Sequence, residues 1–279
     1  MAKRQKKTMN EMTFMDHLEE LRWVLVRSTI ATLVAAVGIF FFSDFIFDEV
    51  IFAPTQPDFW TYRFFCDLAQ QLGVSEICVT EMDFVIQNTD MEGQVTMLIW
   101  TCVAGGFIAA FPYVLWELWK FISPALYEKE RKGAKVFITV SSLLFFMGVL
   151  FGYFMIVPMS VNFFATFKVS ELVKNEFNID SYMSMVKTSV IACGLFFELP
   201  IIIFFLARLG LVTAEFLRKY RKYAIVIVLI VAAVVTPPDV VSQVIVSIPM
   251  LIIYEASIFI AAAVGKKKLI AEQNEKLNV

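Results

Sequence analysis

Val190-Ile-Ala-Cys-Gly-Leu-Phe-Phe-Glu198-Leu-Pro200-Ile-Ile-Ile-Phe-Phe-Leu206 sets one carboxylate in the middle of an apolar stretch, and no cation lies within seven residues of it on either side. A carboxylate at bilayer depth costs several kcal/mol and persists only where it faces a cavity, a file of water or a partner. The stretch therefore reads as a membrane span with one polar face, and part of the function lies inside the bilayer. Pro200 frees a backbone carbonyl and predicts a kink beside the acid.

The rest of the chain agrees. Of its 279 residues, 59% are hydrophobic and only 18% are charged, where soluble domains run near ~25% charged; the mean hydropathy is +0.71. Such a length holds several spans and no large soluble domain beside them. The first apolar run follows a long polar start and no small-residue cleavage site comes after it, so it reads as a span rather than a cleaved leader.

Hydropathy gives an all-α integral membrane protein with six spans, at Val24–Phe42, Val95–Trp116, Val136–Val157, Val186–Leu206, Ala224–Val235 and Val240–Val264. They are framed by a basic tail at 1–12, an amphipathic helix at 13–23 and a polar tail at 265–279. The fifth segment has 12 residues before Thr236-Pro-Pro-Asp239, about 18 Å of helix. That is short of a hydrocarbon core of ~30 Å. The sixth is interrupted by Pro249 and Glu255, so the two predict a stunted hairpin. Basic residues gather before the first span (Lys3, Arg4, Lys6, Lys7, Arg22, Arg27) and after the second (Lys120, Lys129, Arg131, Lys132, Lys135). They gather again after the fourth (Arg208, Arg218, Lys219, Arg221, Lys222) and after the sixth (Lys266-Lys-Lys268). Between Asp48 and Glu92 the only base is Arg63. The positive-inside rule then places both termini in the cytoplasm.

Four stretches are candidates for chemistry. Thr13-Phe-Met-Asp16-His17-Leu-Glu19-Glu20-Leu21-Arg22 opens with a capping-box pattern and puts Phe14, Leu18, Leu21 and Leu25 on one face. The plain reading is a surface anchor with a Glu19–Arg22 pair. Two adjacent acids beside an anionic leaflet are a poor choice for that alone, and argue for a cationic partner. Phe121-Ile-Ser123-Pro124-Ala-Leu-Tyr-Glu128-Lys-Glu130-Arg131 sets two acids in a basic loop, where local salt bridging is the plain alternative. Phe197-Glu198-Leu-Pro200 is the third. In Thr236-Pro-Pro-Asp239-Val-Val-Ser-Gln243, Asp239 and Gln243 share a helix face, and the plain reading is a rigid capped turn.

Cys102 and Cys193 fall in apolar runs and read as packing residues, whereas Cys66 and Cys78 share one polar external loop. A Cys66–Cys78 disulfide and two free thiols are both compatible with that placement. No metalloprotease, serine-hydrolase, phosphate-loop or dinucleotide motif is present, and His17 is the single histidine. The chain reads as no enzyme. A small-solute or ion transporter using Glu198 and Glu255 remains as a rival, and an intramembrane protease as a remote one.

At these residues the chain resembles the TatC family, the multi-spanning receptor subunit of the twin-arginine protein translocase. The matches are His17-Leu-Glu-Glu-Leu-Arg22, Phe121 through Arg131, Phe197-Glu-Leu-Pro200, Arg218-Lys-Tyr-Arg221 and Thr236 through Gln243 with Pro249-Met250. They run in family order from about residue 13 to residue 256. The resemblance implies a glove-shaped bundle that binds twin-arginine signal peptides of folded precursors and exports them, driven by the proton-motive force. By motif, Glu20 and Glu130 would hold the two arginines, with Arg22 orienting the first acid and His17 and Leu21 in the same motif. Guanidinium forks suit carboxylates in a way that an ammonium does not. Glu198 and Pro200 would line a concave polar face. The short fifth and sixth helices, with Thr236, Asp239 and Gln243, would dock single-span partners of the TatA/TatB type, and their length would thin the bilayer locally. The resemblance further implies a bacterial cytoplasmic membrane location, a homo-oligomer within a larger complex in contact with lipid, and no nucleic acid, metal or cofactor. It does not cover the long first external loop.

Overall fold

The computed structural model describes residues 14–71, 82, 84–123, 134–170, 174–236 and 240–277. In chain order these form helix α1 (Phe14–Phe40), α2 (Trp60–Gln71), strand β1 (Val85–Gln87), α3 (Gly93–Ile122), α4 (Ala134–Phe151), α5 (Val157–Thr166), strand β2 (Glu176–Asn178), α6 (Ile179–Phe196), α7 (Leu199–Arg208), α8 (Ala214–Lys219), α9 (Arg221–Val235) and α10 (Val240–Leu277). Among the described residues, five stretches are long and apolar enough to cross a bilayer: His17–Phe40, Gly93–Ile122, Lys135–Thr166, Ile179–Arg208 and Ser242–Lys266. The remaining apolar helix, α9, has 15 residues and reaches about 22 Å. It is the short fifth segment of the sequence reading.

Three features depart from that reading. The surface helix expected at 13–23 and the first span are one unbroken helix, α1. Nothing between Phe14 and Val37 is Gly or Pro, so no residue there stops propagation. Likewise α10 runs through Pro249 and on to Leu277, across the segment expected to be a polar tail. Gly265 alone costs only ~1 kcal/mol, and the lysines, leucine and glutamates beyond it are good helix formers. Third, the long loop expected to be external is built: a wide helical turn at Ile46–Ile51, a tight one at Ala53–Thr55, then α2. Strand β1 pairs in parallel with β2, Val85 opposite Glu176 and Gln87 opposite Asn178, a small sheet in an otherwise helical protein.

The chain divides into two units, one of Met1–Phe45 with Val95–Leu143, the other of Ile46–Gln94 with Leu144–Val279. In the first, α1 and α3 pack antiparallel: His17 and Arg27 near the start of α1 meet Phe121 and Glu117 near the end of α3. Further along, Gly105 lies against Ile39, and a Cβ on Gly106 would fall 2.6 Å from the Ala36 nitrogen and 2.7 Å from the Thr32 carbonyl oxygen. The glycine lets the backbones touch where lipid offers no hydrophobic drive to hold helices together.

The second unit uses the same device twice. Gly148-Val-Leu-Phe-Gly152 is a small-xxx-small stripe ending in the wide turn Gly152–Ile156. A Cβ on Gly148 would meet the Cys193 carbonyl oxygen at 2.5 Å, and one on Gly152 the Ser189 carbonyl oxygen at 2.8 Å, both on α6. Around this contact Ile156, Cys193, Val228, Ala232, Val235, Val246 and Met250 form a buried cluster joining α6, α9 and α10. A second cluster, Ile203, Ala207, Leu217, Tyr254, Ile258, Ala261 and Val264, fastens α7 and α8 to α10.

Hydroxyls pin this long segment to the rest of the unit. Pro158 lacks the N–H that would serve the Phe154 carbonyl one turn back, and the Thr61 hydroxyl donates to that carbonyl instead. The Tyr62 hydroxyl lies 2.9 Å from the carbonyl oxygens of both Pro54 and Pro158. Burial pushes the Tyr62 phenol well above its ordinary range, so it stays a donor. Tyr153 donates to the Val50 carbonyl at 2.6 Å, and Tyr182 to that of Ile51.

Two variants test this packing. Gly152→Leu forces α6 away and should lower the unfolding free energy in detergent by about 1–3 kcal/mol. Thr61→Val leaves the Phe154 carbonyl unserved and should cost a similar ~1–3 kcal/mol; thermal unfolding of the purified chain measures both.

Candidate functional site

The polar residues of interest fall into two groups, one in each unit. In the first unit, His17 is exposed on α1 and its ring stacks on Phe121 of α3, centroids 4.3 Å apart and planes 22° from parallel. Glu20 is exposed one turn later, Leu21 is half-buried, and the exposed Arg22 lies over the Trp23 ring at 5.6 Å. The acid of the following loop, Glu130, lies outside the described residues.

Below this turn sits a charge cluster that sequence reasoning passed over. Glu117 is fully buried, and its carboxylate accepts from Arg27 Nε at 2.7 Å and Lys120 Nζ at 2.6 Å. Arg27 and Lys120 are about half exposed (46% and 52%), so the cluster presents two cationic rims around one sunken acid. Arg27 and Lys120 read in the sequence only as inner-side charges. The signal was the Glu117-Leu-Trp-Lys120 spacing at the end of an apolar run, which puts acid and base on one face. The pair fixes the axial register of α1 on α3, and with it the height of Glu20 relative to Phe121.

In the second unit, Glu198 is 7% exposed and stands at a break. α6 ends at Phe196 and α7 begins at Leu199, because Pro200 cannot donate to the Phe196 carbonyl four residues back. The Glu198 carbonyl starts the next helix, accepting from Ile201 and Ile202 at 3.0 Å each. Pro200 is buried. The kink expected from Pro200 is thus a two-residue break at Phe197–Glu198, both still right-handed helical in backbone, with the acid at its corner. Lys187, half-buried in mid-α6, is a second charge missed in the sequence; Asp180, two turns earlier, is its electrostatic partner.

Thr236 and Gln243 lie at the α9–α10 turn. The last carbonyls of a helix have no partner within it; of these, the Val235 carbonyl accepts from the Ser189 hydroxyl at 3.3 Å. The Ala232 carbonyl, already bonded to the Thr236 N–H at 2.8 Å, also accepts the Thr236 hydroxyl at 2.9 Å, and Gln243 donates across the hairpin to the carbonyl of Leu229, further back in the helix, at 3.1 Å. Thr236 also forms part of the wall of a cavity of about 710 Å³, with Asp180, Ser184, Thr188, Phe164 and Phe177. Asp239 lies outside the described residues. Arg221, from the basic loop, forks onto Glu255 of α10, Nε to Oε1 and NH2 to Oε2 both at 2.8 Å. Glu255 is therefore neutralised by a bidentate partner, which takes away the second coupling acid of the transporter reading. Cys66 is disulfide-bonded, and Cys102 and Cys193 are free and buried; Cys78 lies outside the described residues.

Removing the sunken acid tests the cluster. Glu117→Gln gives up two charge-assisted hydrogen bonds and should destabilise the chain by about 1.5–3 kcal/mol in detergent. The double variant Arg27→Met with Glu117→Leu should recover part of that loss, because it leaves no buried polar group and only the half-exposed Lys120, which water can serve.

Comparison with known proteins meets this geometry. The family model of the Sec-independent protein translocase protein (TatC) matches residues 16–249. The TatC protein of Blattabacterium sp. subsp. Periplaneta americana (strain BPLAN) is 41% identical over 261 residues, 93% of this chain and 98% of that relative. That of Aquifex aeolicus (strain VF5) is 33% identical over 258 residues, 92% of this chain and 98% of the relative. The crystal structure of the twin arginine translocase receptor TatC superposes with a TM-score of 0.68 at 32% identity, covering 89% of this chain and 99% of that one. The same receptor in DDM gives 0.69 at 33%, covering 88% and 99%. The chain belongs to the TatC family of Sec-independent protein translocase proteins.

Proposed function

We propose that this protein is the receptor and core subunit of a twin-arginine translocase in a bacterial cytoplasmic membrane, with both termini inside and no catalytic activity of its own. It binds the paired arginines of signal peptides on folded precursors, and it assembles with single-span partners of the TatA/TatB type to export them using the proton-motive force. The observation that carries the reading is Glu20: an exposed carboxylate on a helix turn held from behind by the His17–Phe121 stack and the Arg27–Glu117 pair. A fixed backbone presents that acid with little ordering left to do on binding. Glu130 supplies the second carboxylate in this proposal and Arg22 orients the first. Paired acids favour two guanidinium forks over two ammonium groups, because each fork makes two parallel hydrogen bonds.

The second group serves the partners. Glu198 and Pro200 give the inner face a polar corner, and Thr236, Asp239 and Gln243 mark the edge where a single-span helix docks against the short α9 and α10. A Cys66–Cys78 bond staples the external segment. The bilayer thins beside the short helices and lowers the barrier there.

Binding of a labelled twin-arginine peptide to the chain in proteoliposomes checks the receptor role. Glu20→Gln and Glu130→Gln should each weaken binding by about tenfold or more, since a charged hydrogen bond is worth ~1.5–3 kcal/mol. A twin-lysine peptide should bind the unaltered chain more weakly and respond less to either substitution. Undiminished binding by the double variant at low salt would overturn the assignment.

A further inference from the structure

We infer that α2, in the external segment, is an interfacial helix whose free apolar face lies in the lipid of the leaflet opposite Lys135. The claim is independent of the peptide-binding role and rests on how one short helix is divided.

Plotted at 100° per residue, α2 splits into three sectors. Thr61, Tyr62 and Ala69 are buried against the unit. Arg63, Asp67 and Gln70 are polar, Arg63 pairing with Asp58 at 3.0 Å and Gln70 contacting the Cys66 sulfur at 3.4 Å. Trp60, Phe64 and Leu68 follow one another at i, i+4, i+8 and form the third sector, 60%, 49% and 43% exposed, which ends at the helix C-terminus in the exposed Gln71. Trp60 and Phe64 stack on each other with centroids 5.4 Å apart. A helix with one face on protein and one in water needs no such stripe. An amphipathic helix carrying Trp, Phe and Leu on one face and charges on another is the pattern of a segment lying in the headgroup boundary.

What covers the stripe follows from its neighbour. Trp60 meets Phe154 edge-on at 5.8 Å. On the same span, Met147 and Leu150 are 49% and 54% exposed, and Met147, Leu150 and Phe154 share one helical face by spacing. In a membrane protein that face is lipid-covered. The α2 stripe continues it at the Trp60 end, and Gln71 closes it one helix length away. Depth agrees as well: Phe154 lies 19 residues beyond Lys135, about 28 Å along the span, against a hydrocarbon core of ~30 Å. If the Lys135 end marks one interface, Trp60 stands at the other, where tryptophan and tyrosine gather. Phe59, Tyr62 and Tyr153 lie at the same level by their ring contacts, Phe59 meeting Tyr62 at 6.2 Å and Tyr153 at 5.7 Å. Held by the Thr61 and Tyr62 hydroxyls at one end of the span, α2 acts as a float that sets how deep this unit rides.

The full chain is reconstituted in phosphatidylcholine–phosphatidylglycerol vesicles with Trp60 as its sole tryptophan, the other four changed to Phe. Lipids brominated high on the acyl chain should quench most of the Trp60 emission, and aqueous iodide little. In a second chain, Trp60→Phe with Gln70→Trp moves the probe to the polar sector, and the preference should invert. Quenching of Trp60 mainly by iodide overturns the proposal. So does quenching by neither agent, which would mean that a second copy or another protein covers the stripe.

Discussion

Inside hydrocarbon a backbone carbonyl has no water to turn to, and an unserved one costs several kcal/mol. Each break in these spans is arranged around that constraint. Toward the interfacial end of its span, Pro158 leaves the Phe154 carbonyl open, and Thr61 arrives from a segment ninety-three positions earlier in the chain to serve it. The short α9 ends at Val235, whose carbonyl is served by the Ser189 hydroxyl, while Thr236 and Gln243 bond to the Ala232 and Leu229 carbonyls further back in the helix. Pro200 splits the fourth span, and the acid at the split sits on the corner it makes. Residues that invite a functional reading in sequence are in several cases first the residues that make an irregular backbone tolerable. The two roles are compatible: a polar side chain kept for one is available to the other.

Charge is handled differently in the two units. In the first, a buried carboxylate is matched by two half-exposed cations, which keeps α1 and α3 in register without leaving an uncompensated charge. In the second, Arg221 at the start of α9 forks onto Glu255 in mid-α10, both partly exposed, and its role is to fasten the basic loop to α10 rather than to hold a core. Close packing does the holding instead, through Gly148, Gly152 and the α6 backbone.

Much of this was legible in the chain. Apolar run length gave the spans and the shortness of α9, because hydrocarbon thickness maps directly onto residue count. The motifs at His17, Phe121, Phe197, Arg218 and Thr236 led to the family to which the chain belongs. What escaped was tertiary. Glu117 and Lys120 looked like the ragged end of a span, since only the facing Arg27, ninety positions away, turns them into a cluster. Gly148-x-x-x-Gly152 was in plain sight but says nothing until the facing small residues Ser189 and Gly194 are found. The boundary between a surface helix and a span, and between the last span and its tail, was read from polarity. Helix continuity answers instead to propensity, and nothing there interrupts it. The segment between the first and second spans was opaque because its order comes from four hydroxyl-to-carbonyl bonds between distant residues and a pairing of two three-residue strands, none of which leaves a local periodic trace.

The length of α10 has a mechanical corollary. Val264 closes its apolar stretch, and thirteen further residues stay helical to Leu277, adding up to about 20 Å of rod. A rod of that length is stiff on the scale of a headgroup layer, so its far end turns with the apolar helix it continues. A tilt of that helix by a few degrees at its base is converted into a sideways sweep at its tip, a motion that a flexible tail of the same composition would absorb.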